Sequence, residues 1–210
     1  MTEKIDLKKT LDSYRARRGE FRLVDVPDLQ YLMIDGHGDP NTSPAYAEAL
    51  EALYPVAYKV KFASKRELGR DYVVPPLEGL WWADDMAAFT ASRDKSRWDW
   101  TMMLLVPDWI ETAMVADAIA QAGSKAPPAR LADVRFEGLS EGRCVQTLHV
   151  GAFDDEAPVL EHMHEEVIPT QGLRMAGRHH EIYFSDFRTV APEKLRTLLR
   201  QPVAPRAESR

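Results

Sequence analysis

The run Arg178-His179-His180-Glu181-Ile182-Tyr183-Phe184-Ser185-Asp186 constrains the chain more than any other. Its β-branched and aromatic residues alternate with polar ones at period two, which reads as a strand. If Ile182 and Phe184 face a packed core, then His179, Glu181, Tyr183 and Ser185 face the opposite way. A carboxylate, a phenol and an imidazole then share one wall of a sheet. Such a polar column wants either solvent or a ligand across from it.

At 210 residues the chain can bury a substantial core as one domain or as two small ones. A formal charge of −6 argues against a nucleic-acid surface, which needs a basic stripe. The short Arg15-Ala16-Arg17-Arg18 cluster reads as solvated. No apolar run reaches the roughly 18 residues of a membrane span, and the first residues lack a signal-peptide core. A single cysteine, Cys144, cannot form an internal disulfide, so a cytoplasmic location is expected. Cys144 itself falls in a strand and is expected in the core.

Residues 1–19 read as an arm with a short helical pattern around Leu7 and Leu11, closed by Gly19. Strand-like runs follow at Phe21 to Val26 and Leu29 to Ile34. The turn Asp35-Gly36-His37-Gly38-Asp39-Pro40-Asn41 has a Gly-x-Gly but lacks the lysine of a phosphate loop. Ser43 and Pro44 mark a helix start. Tyr46, Ala49, Leu50, Leu53 and Ala57 continue the helix at its own spacing, with Pro55 expected to kink or split it. Residues 64–71 look like a charged connection. Pro75, Pro76 and Gly79 suggest that residues 72–82 form an edge or bulged strand. Residues 84–94 read as a loop.

Trp98 to Val106 is a clear strand, with Trp98, Trp100, Met102 and Leu104 on one face. Asp108 and Glu111 resemble a capping box for a helix running to about Gly123. Strands follow at 133–139 and 143–150, then a helix over roughly 155–171. Pro192-Glu193-Lys194-Leu195 is expected to open a last helix ending near Arg200, before a disordered tail. Tyr31-Leu32-Met33-Ile34-Asp35-Gly36 before one helix matches Thr147-Leu148-His149-Val150-Gly151 before another. The chain therefore reads as a tandem β-α-β-β repeat of the α+β class. Repeat one spans about 20–123 and repeat two about 129–203, within one domain over 20–203 and with 204–210 as tail.

His179 through Asp186, then Pro192-Glu193-Lys194-Leu195-Arg196-Thr197 and Arg200-Gln201-Pro202-Val203, resemble the C-terminal signature of the GyrI-like small-molecule-binding domain family. The Asp35-Gly36-His37-Gly38-Asp39-Pro40-Asn41 turn and Leu77-Glu78-Gly79-Leu80-Trp81-Trp82 are similar to its stand-alone members. The resemblance covers about residues 5 to 203. It implies two β-α-β-β repeats about a pseudo-two-fold axis, with antiparallel sheets forming a ligand groove and helices behind. It also implies a hydrophobic ligand, planar or cationic, and no cofactor. Some stand-alone members are similar to enzymes that open the cyclopropane of DNA-alkylating natural products by adding water.

That chemistry wants a carboxylate to take a proton from water, a role assigned to Glu181 with Tyr183 as its hydrogen-bond partner. Tyr72, Trp81, Trp82, Trp98 and Trp100 are candidate aromatic walls, with Met102 as a soft filler, His179 at the flank and Glu78 as a second carboxylate. The same residues would equally hold a lipophilic cation without chemistry, by charge and cation–π contact. A sequestering or sensing module is thus one alternative. Protection of a topoisomerase by protein–protein contact, suggested by the family's name-giving member, is another. His162 and His164 lie two apart on a helix, and His179 and His180 lie on opposite faces of a strand, so no metal site is expected.

Overall fold

A computed structural model describes residues 4–84 and 94–206; the expected loop at 84–94 lies almost wholly outside them. The N-terminal segment holds α1 (Leu7–Thr10) and a short 3-10 turn, Asp12–Tyr14. Strands β1 (Arg22–Val26) and β2 (Leu29–His37) lead into the long helix α2 (Pro44–Ala63). Strands β3 (Leu77–Trp82) and β4 (Asp99–Val106) and helix α3 (Thr112–Ala122) follow. Strands β5 (Arg135–Leu139) and β6 (Gly142–Val150) come next. The second long helical segment is α4 (Ala157–His162), a π turn at Met163–Val167, and α5 (Ile168–Thr170). Strands β7 (Leu173–Met175), β8 (His179–Tyr183) and β9 (Arg196–Pro205) complete the chain.

The fold is α+β, with every strand pairing antiparallel, in the order β1-β6-β9-β8-β3-β4-β2-β5, and β7 beside β9. Each half orders its strands identically. The strand before the helix lies outermost, the last strand beside it, and the strand after the helix innermost (β6-β9-β8 against β2-β4-β3). The two inner strands, β8 and β3, meet at the centre. The lead strands cross over, β1 pairing with β6 and β5 with β2. Since only Pro27 and Asp28 join β1 to β2, the two ends of this strand order are tethered close together and the sheet must curl.

Alternation sorts the side chains into two layers. On one face, α2 packs Ala49, Leu53, Val56 and Val60 against Leu32, Ile34, Trp100, Met102 and Leu104. The second helical segment packs Met163 and Ile168 against Val145 and Leu199 on that same face. On the opposite face Tyr31, Met33, Leu80, Met103, Leu105, Ile182 and Leu198 are covered by Tyr14, Leu7 and Leu11 of the N-terminal arm. Both helical segments therefore stand on one side of the sheet, with its two central strands open between them.

Several sequence expectations change. Pro55 does not split α2 into two helices; the buried Leu53, Val56 and Val60 hold it continuous past the missing donor. The charged connection at 64–71 begins as a π turn, Ser64–Leu68, closed by left-handed Gly69. Ser43 makes no side-chain cap, and neither Asp108 nor Glu111 caps α3, which starts only at Thr112. The prolines of 72–82 precede β3, and that strand is central, not an edge. The expected last helix is a single turn at Pro192–Lys194 followed by the ten-residue strand β9, which runs to Pro205 where a tail was expected.

Candidate functional site

A cavity of about 1210 Å³ opens over the central strands. Its floor comes from β3 and β8, whose register sets Gly79 opposite Glu181 and Trp81 opposite His179. Period-two alternation sends Trp81, His179, Glu181 and Tyr183 into it. Helix α2 supplies one wall through Tyr46, Leu50, Tyr54 and Tyr58, spaced four apart along one stripe. Phe153, Glu156 and Leu160, at the start of the second helical segment, supply the other. Trp98 closes an end, its ring 5.7 Å from Trp81 and nearly perpendicular to it. Phe153 stands edge-on to Tyr183 at 5.7 Å.

The polar groups form a chain across this floor. Trp81 Nε1 donates to the Tyr183 hydroxyl at 3.0 Å, and that hydroxyl donates to Glu181 Oε2 at 2.7 Å. Burial, followed by the Glu181 carboxylate and Tyr46, raises the Tyr183 pKa well above the usual phenol range, so it remains a donor. Burial and Glu181 likewise raise Tyr46. Gly79 permits this approach: a Cβ there would lie 2.6 Å from Met102 Cε, 2.8 Å from Trp81 Nε1 and 3.1 Å from the Tyr183 hydroxyl. The other Glu181 oxygen, Oε1, lies 3.5 Å from His179 Nε2. His179 is 5% exposed, and neither of its ring nitrogens has a hydrogen-bond partner among the described residues.

Of the residues singled out from sequence, Trp81, Trp98, His179, Glu181 and Tyr183 line this cavity, while Tyr72, Glu78, Trp82, Trp100 and Met102 do not. Glu78 and Trp82 have the wrong parity on β3 and point through the sheet. Trp82 there stacks under the Arg178 guanidinium at 3.6 Å. Trp100 and Met102 have the right parity, but α2 lies over them. Trp100 packs against Tyr46 and donates to Gly38 O at 3.2 Å. Tyr72 is buried against Trp109. Tyr46, Tyr54, Phe153 and Glu156 escaped the sequence reading. The four-residue aromatic spacing on α2 was the available signal for two of them.

Glu78 belongs to a second polar cluster on the far face. It accepts from the Tyr14 hydroxyl, and its Oε2 meets His180 Nε2 at 2.9 Å. His180 Nδ1 meets Glu141 Oε1 at 2.9 Å, and Arg200 Nη1 donates to Glu141 Oε2 at 2.7 Å. Arg200 also donates to Gln146 Oε1 and to the Ser13 carbonyl. An imidazole between two carboxylates is held as imidazolium. Burial opposes its charge, but Glu141 and Glu78 outweigh that and raise its pKa. Burial would raise Glu141, yet His180 and Arg200 hold it down at about 2. Glu78, Glu141, His180 and Arg200 thus pack as one hydrogen-bonded cluster in a buried layer beneath the cavity floor.

Among the described residues no three His, Cys, Asp or Glu side chains converge on a metal position, and no helix is long and apolar enough to cross a membrane. A model of the GyrI-like small molecule binding domain matches residues 19–204. A Listeria innocua structure described as a hydrolase is 36% identical, with a TM-score of 0.84, covering 96% of this chain and 100% of that one. An uncharacterized conserved Listeria innocua protein is similar at 36% identity and a TM-score of 0.86, with the same coverage. The C-terminal domain of EcmrR shares the fold at 11% identity and a TM-score of 0.55, covering 89% of this chain and 98% of that one. No curated protein matches.

Proposed function

The chain belongs to the GyrI-like small-molecule-binding domain family, and on that premise we propose that its cavity takes flat, lipophilic electrophiles and opens a strained ring in them by adding water. The observation that carries this reading is the part-buried Trp81–Tyr183–Glu181 chain. It fixes one carboxylate oxygen through Oε2 and leaves Oε1 turned toward the space between the aromatic walls. In a cyclopropane conjugated to a dienone, a water oxygen attacks the ring carbon. The broken carbon–carbon pair flows into the dienone, whose oxygen becomes phenolate. Glu181 takes the water's proton, a contribution of about 10²–10⁴-fold for a placed base. The aromatic walls hold the flat body and keep bulk water away. The hydrolase description carried by a Listeria innocua relative supports a hydrolytic use of this fold.

A second reading is non-catalytic capture of a lipophilic cation. It is favoured by Glu156, 4% exposed, which lines the cavity along with Glu181 amid aromatic rings. Incubation with a cyclopropane-dienone alkylator, followed by mass spectrometry, separates the two. Water addition that collapses in Glu181→Gln supports the hydrolase. Tight binding without turnover in either protein refutes it for this substrate class and leaves capture.

A further inference from the structure

We propose that the Tyr46 hydroxyl donates the hydrogen bond that meets the charge developing on the dienone oxygen. The inference rests on the hydrolase reading above and supplies the partner that the Glu181 base needs. As the ring opens, the electron pair of the breaking carbon–carbon bond ends on that oxygen, at the far end of the conjugated system from the attacked carbon. A donor fixed there in advance lowers the barrier, because it meets more charge in the transition state than in the bound substrate. The donors along the floor are already spent. A phenol has one hydrogen to give; that of Tyr183 goes to Glu181, and the Trp81 indole hydrogen goes to Tyr183. Both ring nitrogens of His179 are sealed off. Lys95 is engaged by Asp154, and Arg188 by Asp186.

The tyrosine stripe of α2 offers three more phenols. Tyr58 is exposed, and Tyr54 lies near Arg188 and Asp186 of the rim. Tyr46 is set deeper: it is half-buried, and its hydroxyl is open to the cavity with no hydrogen-bond partner among the described residues. Its ring is fixed from beneath. It stands edge-on to Trp100 at 5.5 Å, and Trp100 is held by its bond to the Gly38 carbonyl and by the space that Gly36 leaves. Trp100 pairs with Trp81, so the Tyr46 ring rests on the strand beside the Trp81–Tyr183–Glu181 chain. After burial, Glu181 acts most strongly on the Tyr46 hydroxyl, and Tyr46 in turn acts on Tyr183. The base rises from the floor and the donor comes from the helix wall, set apart as the attacked carbon and the oxygen are. In the step, the water oxygen bonds to the ring carbon and Glu181 takes the water's proton. The carbon–carbon pair moves into the ring, and the oxygen becomes phenolate against the Tyr46 O–H. Tyr46, its pKa raised, keeps its own proton. The phenolate takes one from solvent on release and Glu181 returns the one it took, so the net change is addition of water.

The test follows hydration of a cyclopropane-fused cyclohexadienone by the full chain, with phenol formation as the signal. Tyr46→Phe removes the hydroxyl and keeps the ring on Trp100, so the packing beneath it is preserved. Its kcat should fall about 10²–10³-fold, the range for one lost oxyanion donor, while KM changes less than about twofold. A substrate series with increasingly electron-withdrawing ring substituents separates this role from a structural one. Such substituents spread the phenolate charge, so the deficit of Tyr46→Phe should narrow along the series. A deficit that stays constant across it overturns the donor role. Unchanged kcat in Tyr46→Phe, alongside collapse in Glu181→Gln, also overturns it and spares the hydrolase reading. Absence of hydration by the wild-type chain overturns both.

Discussion

Replacing Arg200 with methionine isolates the energetics of the buried charge layer. The guanidinium is fully buried and donates to three oxygens, at 2.7 Å to Glu141, 3.1 Å to Gln146 and 2.6 Å to the Ser13 carbonyl, with His180 Nδ1 3.5 Å away. Methionine fills much of the same volume, so the cavity penalty is small. What remains is Glu141, 3% exposed, facing His180 alone, with two further acceptors stripped of their donor. Breaking a buried pair from one side costs about 3–5 kcal/mol. At an m-value of about 2–3 kcal/mol/M, the urea midpoint should drop by about 1–2.5 M with little change in slope. Pairing the change with Glu141→Gln removes the stranded charge. The double variant should then lose less than the sum of the singles by about 1–3 kcal/mol. Equilibrium urea unfolding followed by circular dichroism reads all four proteins. A loss below about 1 kcal/mol for Arg200→Met, the range of an exposed surface pair, would show that no buried charge is stranded.

The acid limb of stability tests the same layer by another route. Glu141 titrates at about 2 in the fold against an ordinary 4.5, so its contribution is complete above about pH 4.5 and disappears as pH falls toward 2. Melting temperatures in Glu141→Gln should accordingly decline less across that window than in the wild type. His180, raised by its two carboxylates, has the opposite sign: its contribution is complete below pH 6.5 and is lost as pH rises through the folded value. Stability should thus also fall on the alkaline side, a decline that His180→Gln removes. Gly36→Ala tests the packing beneath the cavity wall, because a Cβ there would sit 2.0 Å from the Trp100 ring. A loss of about 1–3 kcal/mol is expected, partly recovered when Trp100→Phe is added.

The polar column at 178–186 was legible because it needs only a local rule. Strand alternation fixes which residues share a face, and His179, Glu181 and Tyr183 do share the face that lines the cavity. The same rule, applied to β3, separates Trp81 from Trp82 and Glu78, residues that chemical type alone groups together. The C-terminal misreading has a different origin. Thr197, Leu198, Leu199, Arg200 and Gln201 are all buried, because β9 lies between β6 and β8 with both faces covered. Such a strand does not alternate, and the charged Arg200 beyond a proline turn resembles the end of an exposed helix.

The sequence carries the repeat, the class of fold and the polar face of the innermost strand of the second half, since these follow from periodicity and turn chemistry within short segments. It left open what stands across from each face. Whether Trp100 meets a ligand or a helix depends on where α2 lands. Whether Glu78 is catalytic or structural depends on Tyr14, His180 and, through His180, on Glu141 and Arg200, as many as 122 residues away along the chain (200 − 78). Burial and charge pairing are properties of the space between distant segments, and only the closed fold decides them.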